Sequence, residues 1–279
     1  MSLIAVIGAG PLGGALAQSL ACRSRVAEVR LIDPAGAVAQ GKALDILQSS
    51  PVEQFSTRLS AADAIIAAAG ADVIVLADFV QGGEIGGEGG LALLRQLARV
   101  EGRAPLLFAG GAQRDLMVKA VQELHIAPRR LVGSAALALE SAVRAITAAL
   151  VDASPTDLSI GIAGVPPRNV VIGWDAATAF NQPIARVLPA HEMAALSSRL
   201  PALWPPGPYA LASAAARVAE ALASGSRRRY TAFAALDVAD AGRNFIAAVP
   251  VEFVEGGIGK VVEPALSRHE RTAFENGLR

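Results

Sequence analysis

Residues 3–14 read LIAVIGAGPLGG, an apolar run that leads directly into a glycine-rich turn. The apolar run is typical of a buried strand, and the residues after it predict a helix that begins near Pro11. Gly8 permits a tight turn, Gly10 lets a phosphate approach the backbone, and Gly13 lets the helix pack closely on the strand. The stretch therefore predicts the first strand, turn and helix of a dinucleotide-binding fold.

An acidic residue ends the second apolar run of the chain. Asp33 stands twenty positions after Gly13, where a carboxylate can accept hydrogen bonds from ribose hydroxyls. The same charge would repel a 2′-phosphate, so we expect NAD rather than NADP. The alternative is a purely structural turn in which Asp33 caps a helix. The predicted cofactor-binding residues are Gly8, Gly10, Pro11, Leu12, Gly13, Asp33 and Ala77.

Short apolar runs alternate with helical patterns in the first half of the chain, which indicates a doubly wound parallel sheet of the Rossmann type. The predicted strands are Leu3–Ile7, Glu28–Ile32, Val73–Ala77, Pro105–Ala109 and Arg130–Val132. The predicted helices are Pro11–Cys22, Gly36–Leu47, Leu91–Val100, Asp115–His125 and Ala135–Leu150. We expect this α/β domain to cover residues 1–138.

The second half of the chain has a different pattern, with strands that predict a mixed or antiparallel sheet. The predicted strands are Asp157–Ile162, Asn169–Trp174, Tyr230–Leu236, Asn244–Val254 and Lys260–Val262. The predicted helices are His191–Leu200, Ala210–Ala223 and Ser267–Gly277. We expect a smaller α+β domain over residues 139–279.

The composition narrows the class of partner. Lys plus Arg and Asp plus Glu number 25 each, so no overall field favours nucleic acid or an anionic membrane, and a small molecule is expected. The single cysteine, Cys22, forms neither an internal disulfide nor a zinc site, and its apolar surroundings predict a buried thiol in a reducing, cytoplasmic compartment. The apolar start of the chain lacks the basic flank of a signal peptide, and no run is long enough for a membrane span.

Longer motifs add a family resemblance. The stretch GKALDI at 41–46, followed by SPVE at 50–53, resembles the opening of NAD-dependent malate dehydrogenases. RLVGS at 130–134, LESA at 139–142 and GIGKVVE at 257–263 look like further landmarks of the malate/lactate dehydrogenase superfamily. The resemblance implies the fold of that family, NAD as the cofactor, and a homo-oligomer, either a dimer or a tetramer.

The resemblance also implies a substrate site whose polar residues are missing here. In that family arginines bind a substrate carboxylate, a His and Asp pair relays a proton, and an Asn orients the carbonyl. The segment 78–94, matching the loop expected to be mobile above the substrate, has no Lys, Arg or His, and Gly110-Gly111 replace the Asn-Pro pair. Val143 stands where the family has an arginine, and Ala163 stands where it has the catalytic imidazole.

Glu140 is the one weak catalytic candidate, because it matches the relay Asp. An intrahelical ion pair with Arg144, four positions later, explains it equally well. The three histidines, His125, His191 and His269, are expected to be caps or surface residues.

Three functions stay open. The chain could bind NAD(H) without standard 2-hydroxy-acid oxidation, it could oxidise a neutral or cationic substrate with Glu140, Asp78 or Glu84 as the acid-base group, or it could be a structural partner of an active relative. We favour the first. General acid-base catalysis contributes roughly 10² to 10⁴ in rate, and Ala163 cannot supply it.

Overall fold

The computed structural model describes residues 2–237 and 244–278. The strands, in chain order, are β1 Leu3–Ile7, β2 Glu28–Ile32, β3 Arg58–Ala62, β4 Val73–Leu76, β5 Asp78–Phe79, β6 Gly83–Glu84, β7 Leu106–Phe108, β8 Leu131–Gly133, β9 Leu158–Ser159, β10 Ile162–Val165, β11 Asn169–Ile172, β12 Thr178–Ala179, β13 Gln182–Pro183, β14 Tyr230–Asp237, β15 Asn244–Val254 and β16 Gly257–Val261. The helices are α1 Pro11–Arg23, α2 Gly36–Glu53, α3 Gly87–Val100, α4 Arg114–Gln122, α5 Ala135–Leu150, α6 Ala190–Arg199, α7 Pro208–Ser224 and α8 Arg268–Gly277.

The main sheet is built around parallel strands in the spatial order β3-β2-β1-β4-β7-β8. Counting only these strands along the chain, the order is 3-2-1-4-5-6, which defines a Rossmann-type sheet. Strand β1 is buried from Ile4 to Ile7, as expected where helices cover both faces. The direction of winding reverses between β1 and β4, so their carboxyl ends border the crevice in which such sheets bind ligands.

Antiparallel strands extend the same sheet. Strand β14 pairs with β8 through Phe233 and Gly133, and β15, β10, β11 and β16 follow beyond it. The predicted class, a doubly wound parallel sheet followed by a smaller antiparallel region, is confirmed. The boundary placed near residue 138 falls inside α5, and the sheet continues across it, so the division into 1–138 and 139–279 stays a prediction.

Several predicted bounds were wrong. The predicted strand Asp157–Ile162 is divided between β9 and β10, and β3 was missed because its side chains are only partly buried. Helix α2 continues six residues past Leu47, to Glu53, with Pro51 inside it. The segment 78–94, which the resemblance matches to a mobile loop, contains the β5-β6 hairpin and the start of α3, which begins at Gly87 rather than Leu91.

Two further observations concern the expected environment of the chain. Cys22 is partly exposed on α1 rather than buried. No helix among the described residues is both long and apolar enough to cross a membrane.

Candidate cofactor and active site

The turn after β1 has the geometry that its glycines predict. Gly8 has φ of 102°, a conformation that side chains disfavour, and its amide donates to the carbonyl of Ile32 at 2.7 Å. A Cβ on Gly13 would lie 2.0 Å from the Gly8 carbonyl oxygen, so only glycine allows α1 to start this close to the turn. Pro11 occupies the first turn of α1, where its missing N–H costs no hydrogen bond.

Asp33 lies at the carboxyl end of β2, as predicted, and is 1% exposed. Its Oδ2 accepts hydrogen bonds from the amides of Ala9 at 2.8 Å and Val80 at 3.0 Å, and its Oδ1 accepts from Ala35 at 2.9 Å. The carboxylate thus binds backbone amides in the position where the sequence predicts ribose hydroxyls.

Asp78 lies at the first amides of α1. It follows β4, which neighbours β1, and is 8% exposed. Its Oδ1 accepts from the Gly13 amide at 2.8 Å and its Oδ2 from the Leu12 amide at 3.1 Å. The amides at a helix N-terminus attract anions because they lack partners within the helix and carry partial positive charge. Asp78 therefore satisfies the amides on which the fold would place a pyrophosphate.

Gly10 leaves the space that Asp78 fills. A Cβ on Gly10 would lie 2.4 Å from the Asp78 Oδ2, and the Gly10 amide donates to the Asp78 carbonyl at 2.8 Å. Lys42, within the GKALDI stretch, lies on the other side of the turn, where its Nζ donates to the carbonyl of Ala9 at 2.6 Å and to that of Gly10 at 3.1 Å. Glycine turn, carboxylate and ammonium form one connected network.

The residue types around the glycine turn fit a dinucleotide, whereas the hydrogen bonds that these residues make in the structure do not. The amides of Leu12 and Gly13 and both oxygens of Asp33 already have partners within the protein. A diphosphate cannot reach those amides while the Asp78 carboxylate remains on them.

A second acid occupies the far end of the cleft. The Glu84 carboxylate accepts from the Ala112 amide at 2.6 Å, and a Cβ on Gly110 would lie 2.1 Å from its Oε1. Loss of solvent around this carboxyl raises the pKa of Glu84, and the negative charge of Asp78 adds to the increase. The backbone that replaces the family's Asn-Pro pair therefore binds an internal carboxylate.

Gln113 holds this end of the cleft together and was not singled out by the sequence. Its Oε1 accepts from the Gly110 amide at 2.9 Å, and its Nε2 donates to the carbonyls of Ala77 at 3.2 Å and Ile85 at 3.1 Å. The side chain is 1% exposed. Ala77, predicted to contact cofactor, contributes to this link through its carbonyl group.

The positions matched to substrate-binding residues are apolar and buried. Ala163 is fully buried on β10, and Val143 is 1% exposed on α5. Val143 belongs to an apolar cluster of buried side chains that also contains Leu139 and Ile162. Positions 143 and 163 therefore have neither the guanidinium nor the imidazole that the resemblance implies.

Glu140 lies apart from the glycine turn. It lines a groove of about 1120 Å³, which none of the predicted cofactor-binding residues lines. The predicted ion pair with Arg144 is wrong: Glu140 accepts a hydrogen bond from the Thr231 hydroxyl, and Arg144 donates to the Pro155 carbonyl at 2.9 Å. The partner was missed because it comes from β14, far along the chain. Burial raises the pKa of Glu140.

The remaining titratable residues add no catalytic centre. His125, His191 and His269 are exposed. Within residues 2–237 and 244–278, no group of three or more His, Cys, Asp or Glu side chains could hold a metal ion.

Comparison with known proteins agrees with this fold. Residues 2–84 match the family model of the lactate/malate dehydrogenase NAD-binding domain, which supports NAD as the cofactor. A malate dehydrogenase of Roseobacter denitrificans is 29% identical over 303 aligned positions, covering 99% of this chain and 93% of the relative. One from Thermomicrobium roseum is 26% identical, covering 97% and 93%.

Solved structures resemble the whole chain. The malate dehydrogenase of Salinibacter ruber superposes with a TM-score of 0.87 at 22% identity, covering 99% of this chain and 93% of that one. The lactate dehydrogenase of Cryptosporidium parvum superposes with a TM-score of 0.85 at 19% identity, covering 99% and 94%. Together with the glycine turn, the strand order and the matched NAD-binding domain, these likenesses show that the chain has the fold of the lactate and malate dehydrogenases.

Proposed function

We propose that this protein binds NAD(H) but does not carry out standard 2-hydroxy-acid oxidation, and that it acts as a cofactor-binding or regulatory protein. The observation that carries the proposal is Ala163, fully buried where the resemblance implies the catalytic imidazole. A methyl group cannot exchange a proton. Loss of a positioned acid-base group lowers the rate by roughly 10² to 10⁴.

The absence of a cation for a substrate carboxylate supports the same proposal. Segment 78–94 has no Lys, Arg or His, and it carries Asp78, Glu84 and Glu88. Asp78 or Glu84 would cost about 1 kcal/mol at a separation of about 4 Å from a bound carboxylate, even in water, and more where water is excluded. Val143 supplies no positive charge opposite them.

Steady-state assays test the proposal. NAD reduction with malate or lactate, and NADH oxidation with oxaloacetate or pyruvate, should stay at the rate measured without enzyme. A malate dehydrogenase assayed in parallel gives the positive control. Clear turnover of either acid would overturn the proposal, whereas turnover of an uncharged alcohol only would support the altered-substrate alternative.

We also propose that the protein is a cytoplasmic homo-oligomer. Helix α2 has large apolar side chains that are exposed in the single chain, including Val52 at 82%, Leu44 at 54% and Leu47 at 43%. A second copy could remove this face from water. Light scattering after size exclusion should give a dimer or tetramer mass, and L44E/L47E should shift it toward the monomer; a monomeric wild-type protein would contradict the proposal.

A further inference from the structure

We infer that Asp78 is a built-in occupant of the dinucleotide phosphate site, so that NAD(H) must compete with this chain's own carboxylate for the first amides of α1. The inference rests on the proposed NAD(H) binding and adds how that binding is controlled. A ligand-free cleft of this fold would leave those amides to water. Here they are bonded within the protein.

The carboxylate reproduces the contacts of a phosphate. Its two oxygens lie on two adjacent amides, Gly13 at 2.8 Å and Leu12 at 3.1 Å, at the positive end of a thirteen-residue helix. Negative oxygens that accept from backbone amides at a helix N-terminus are the arrangement by which helices bind phosphates. Asp78 and a diphosphate would therefore use the same donors.

The space and the charge exclude simultaneous occupation. Gly10 lacks a side chain at the place where a pyrophosphate approaches the turn, and the Asp78 Oδ2 lies 2.4 Å from the position of the missing Cβ. A diphosphate placed there would overlap the carboxyl group and meet its negative charge. Binding thus requires the Asp78 side chain to leave.

The hairpin that carries Asp78 is fixed at several points. Asp78 pairs with Glu84 across the β5-β6 hairpin, and the Glu84 carboxylate accepts from Ala112. The amide of Val80 donates to Asp33 Oδ2, so the same hairpin also contacts the carboxylate that is predicted to bind ribose hydroxyls. These contacts hold the segment 78–84 beside the first amides of α1, the Asp33 carboxylate and the Ala112 amide.

The competition can be measured by titrating NADH into the wild-type protein and two variants at one pH and salt concentration. D78A removes the competing carboxylate, and D78N keeps its size without the charge. D115N is the matched control, because Asp115 is an exposed acid in the first turn of α4, outside the cleft. Circular dichroism establishes that each variant is folded.

We expect D78A to bind NADH at least 10-fold more tightly than wild type, D78N to bind with an intermediate affinity, and D115N to match wild type. Binding by D78A together with none by wild type also supports the inference. It is overturned if the folded variants bind NADH no more tightly than wild type, or if none of the proteins binds it. If D78A does not fold, the comparison of D78N with wild type tests the inference: tighter NADH binding by D78N supports it, and equal or weaker binding overturns it.

Inorganic pyrophosphate gives a second readout, since it carries the phosphate groups without the rest of the cofactor. It should raise the melting temperature of D78A and D78N more than that of wild type; an equal shift in all three would overturn the inference. Turnover of malate or lactate by wild type would refute the proposed function, and it would leave the ratio of NADH affinities as a separate result.

Discussion

The Asp78 carboxylate lies 2.8 Å from the amide of Gly13, a residue in the first turn of α1. Helix α1 follows the glycine turn of the dinucleotide-binding motif. The two residues are distant in the chain, but they follow neighbouring strands of the sheet, Asp78 after β4 and Gly13 after β1. The sequence of this motif indicates phosphate binding, but in the structure an acid from elsewhere in the same chain occupies its amides. Its stability and its ligand binding are expected to depend on that acid.

The contact between Gly10 and Asp78 predicts a strong coupling of two substitutions. Gly10 has φ of −68°, which alanine adopts freely, so the cost of G10A comes from the carboxyl group that its Cβ meets. We expect G10A to lower the free energy of unfolding by about 2 kcal/mol, the scale of overpacking in a core. In a D78A background the loss should fall below about 0.5 kcal/mol. Urea denaturation measures both; equal losses in the two backgrounds would show that the carboxylate is elsewhere.

Gln113 is expected to be a main stabilising residue of the far end of the cleft. Q113A leaves the Gly110 amide and two carbonyls without their side-chain partner in a buried place. An unsatisfied buried group costs about 1–3 kcal/mol, so the melting temperature should fall by roughly 5 °C or more. Differential scanning calorimetry checks this value. Gln122, an exposed residue at the end of α4, gives the control Q122A, which should change little; similar shifts in the two variants would contradict the role of Gln113.

The ion pair between Arg23 and Glu220 ties α1 to α7. The two bonds, Nε to Oε1 at 2.5 Å and Nη2 to Oε2 at 2.6 Å, form a bidentate pair, and the side chain of Glu220 is only 9% exposed. Because Arg23 keeps some solvent contact, we expect R23A to cost about 2 kcal/mol, less than a fully buried pair. K119A, which breaks the exposed pair with Glu88, should leave the free energy of unfolding almost unchanged. If urea denaturation gives equal losses of unfolding free energy for R23A and K119A, the prediction is contradicted.

Glu140 predicts a pH-dependent stability difference. Burial raises its pKa above the unfolded value, so folding favours the protonated carboxyl. The stability contributed by that proton is complete below the unfolded pKa and is lost as pH rises through the folded pKa. E140Q lacks this titration, and its melting temperature should exceed that of wild type at pH 8 and approach it at pH 4. E255Q, at an exposed acid, should show no such trend; a constant difference between E140Q and wild type would contradict the prediction.

Patterns local in sequence predicted the fold well. Strands Leu3–Ile7 and Asn244–Val254 and the helix Ala135–Leu150 have the predicted bounds, since each is rich in apolar residues and the helix has them at helical spacing. Strand Arg58–Ala62 was not predicted. It lies at an edge of the sheet and its side chains are only partly buried, so its composition resembles that of a loop. The six glycines of the segment 82–90 indicate a loop in the same way, although the structure has a hairpin strand and a helix start there.

The candidate site was predictable in its residue types and not in its partners. The glycines and Asp33 follow from spacing along the chain, whereas the bonds of Asp33 to Val80 and of Asp78 to Gly13 join segments that are far apart in the sequence. The sequence did contain a signal: two acids follow β4, whose carboxyl end neighbours the glycine turn. The sequence alone makes these two acids candidate acid-base groups for an altered substrate, whereas the structure places both carboxylates on backbone amides.

A crystal structure of the protein without nucleotide tests the central claim most directly, through the distances from the Asp78 carboxylate to the first amides of α1. We predict hydrogen bonds to Gly13 and Leu12 near 2.8 and 3.1 Å. A carboxylate turned toward solvent, with those amides bonded to water or to a bound anion, would contradict it.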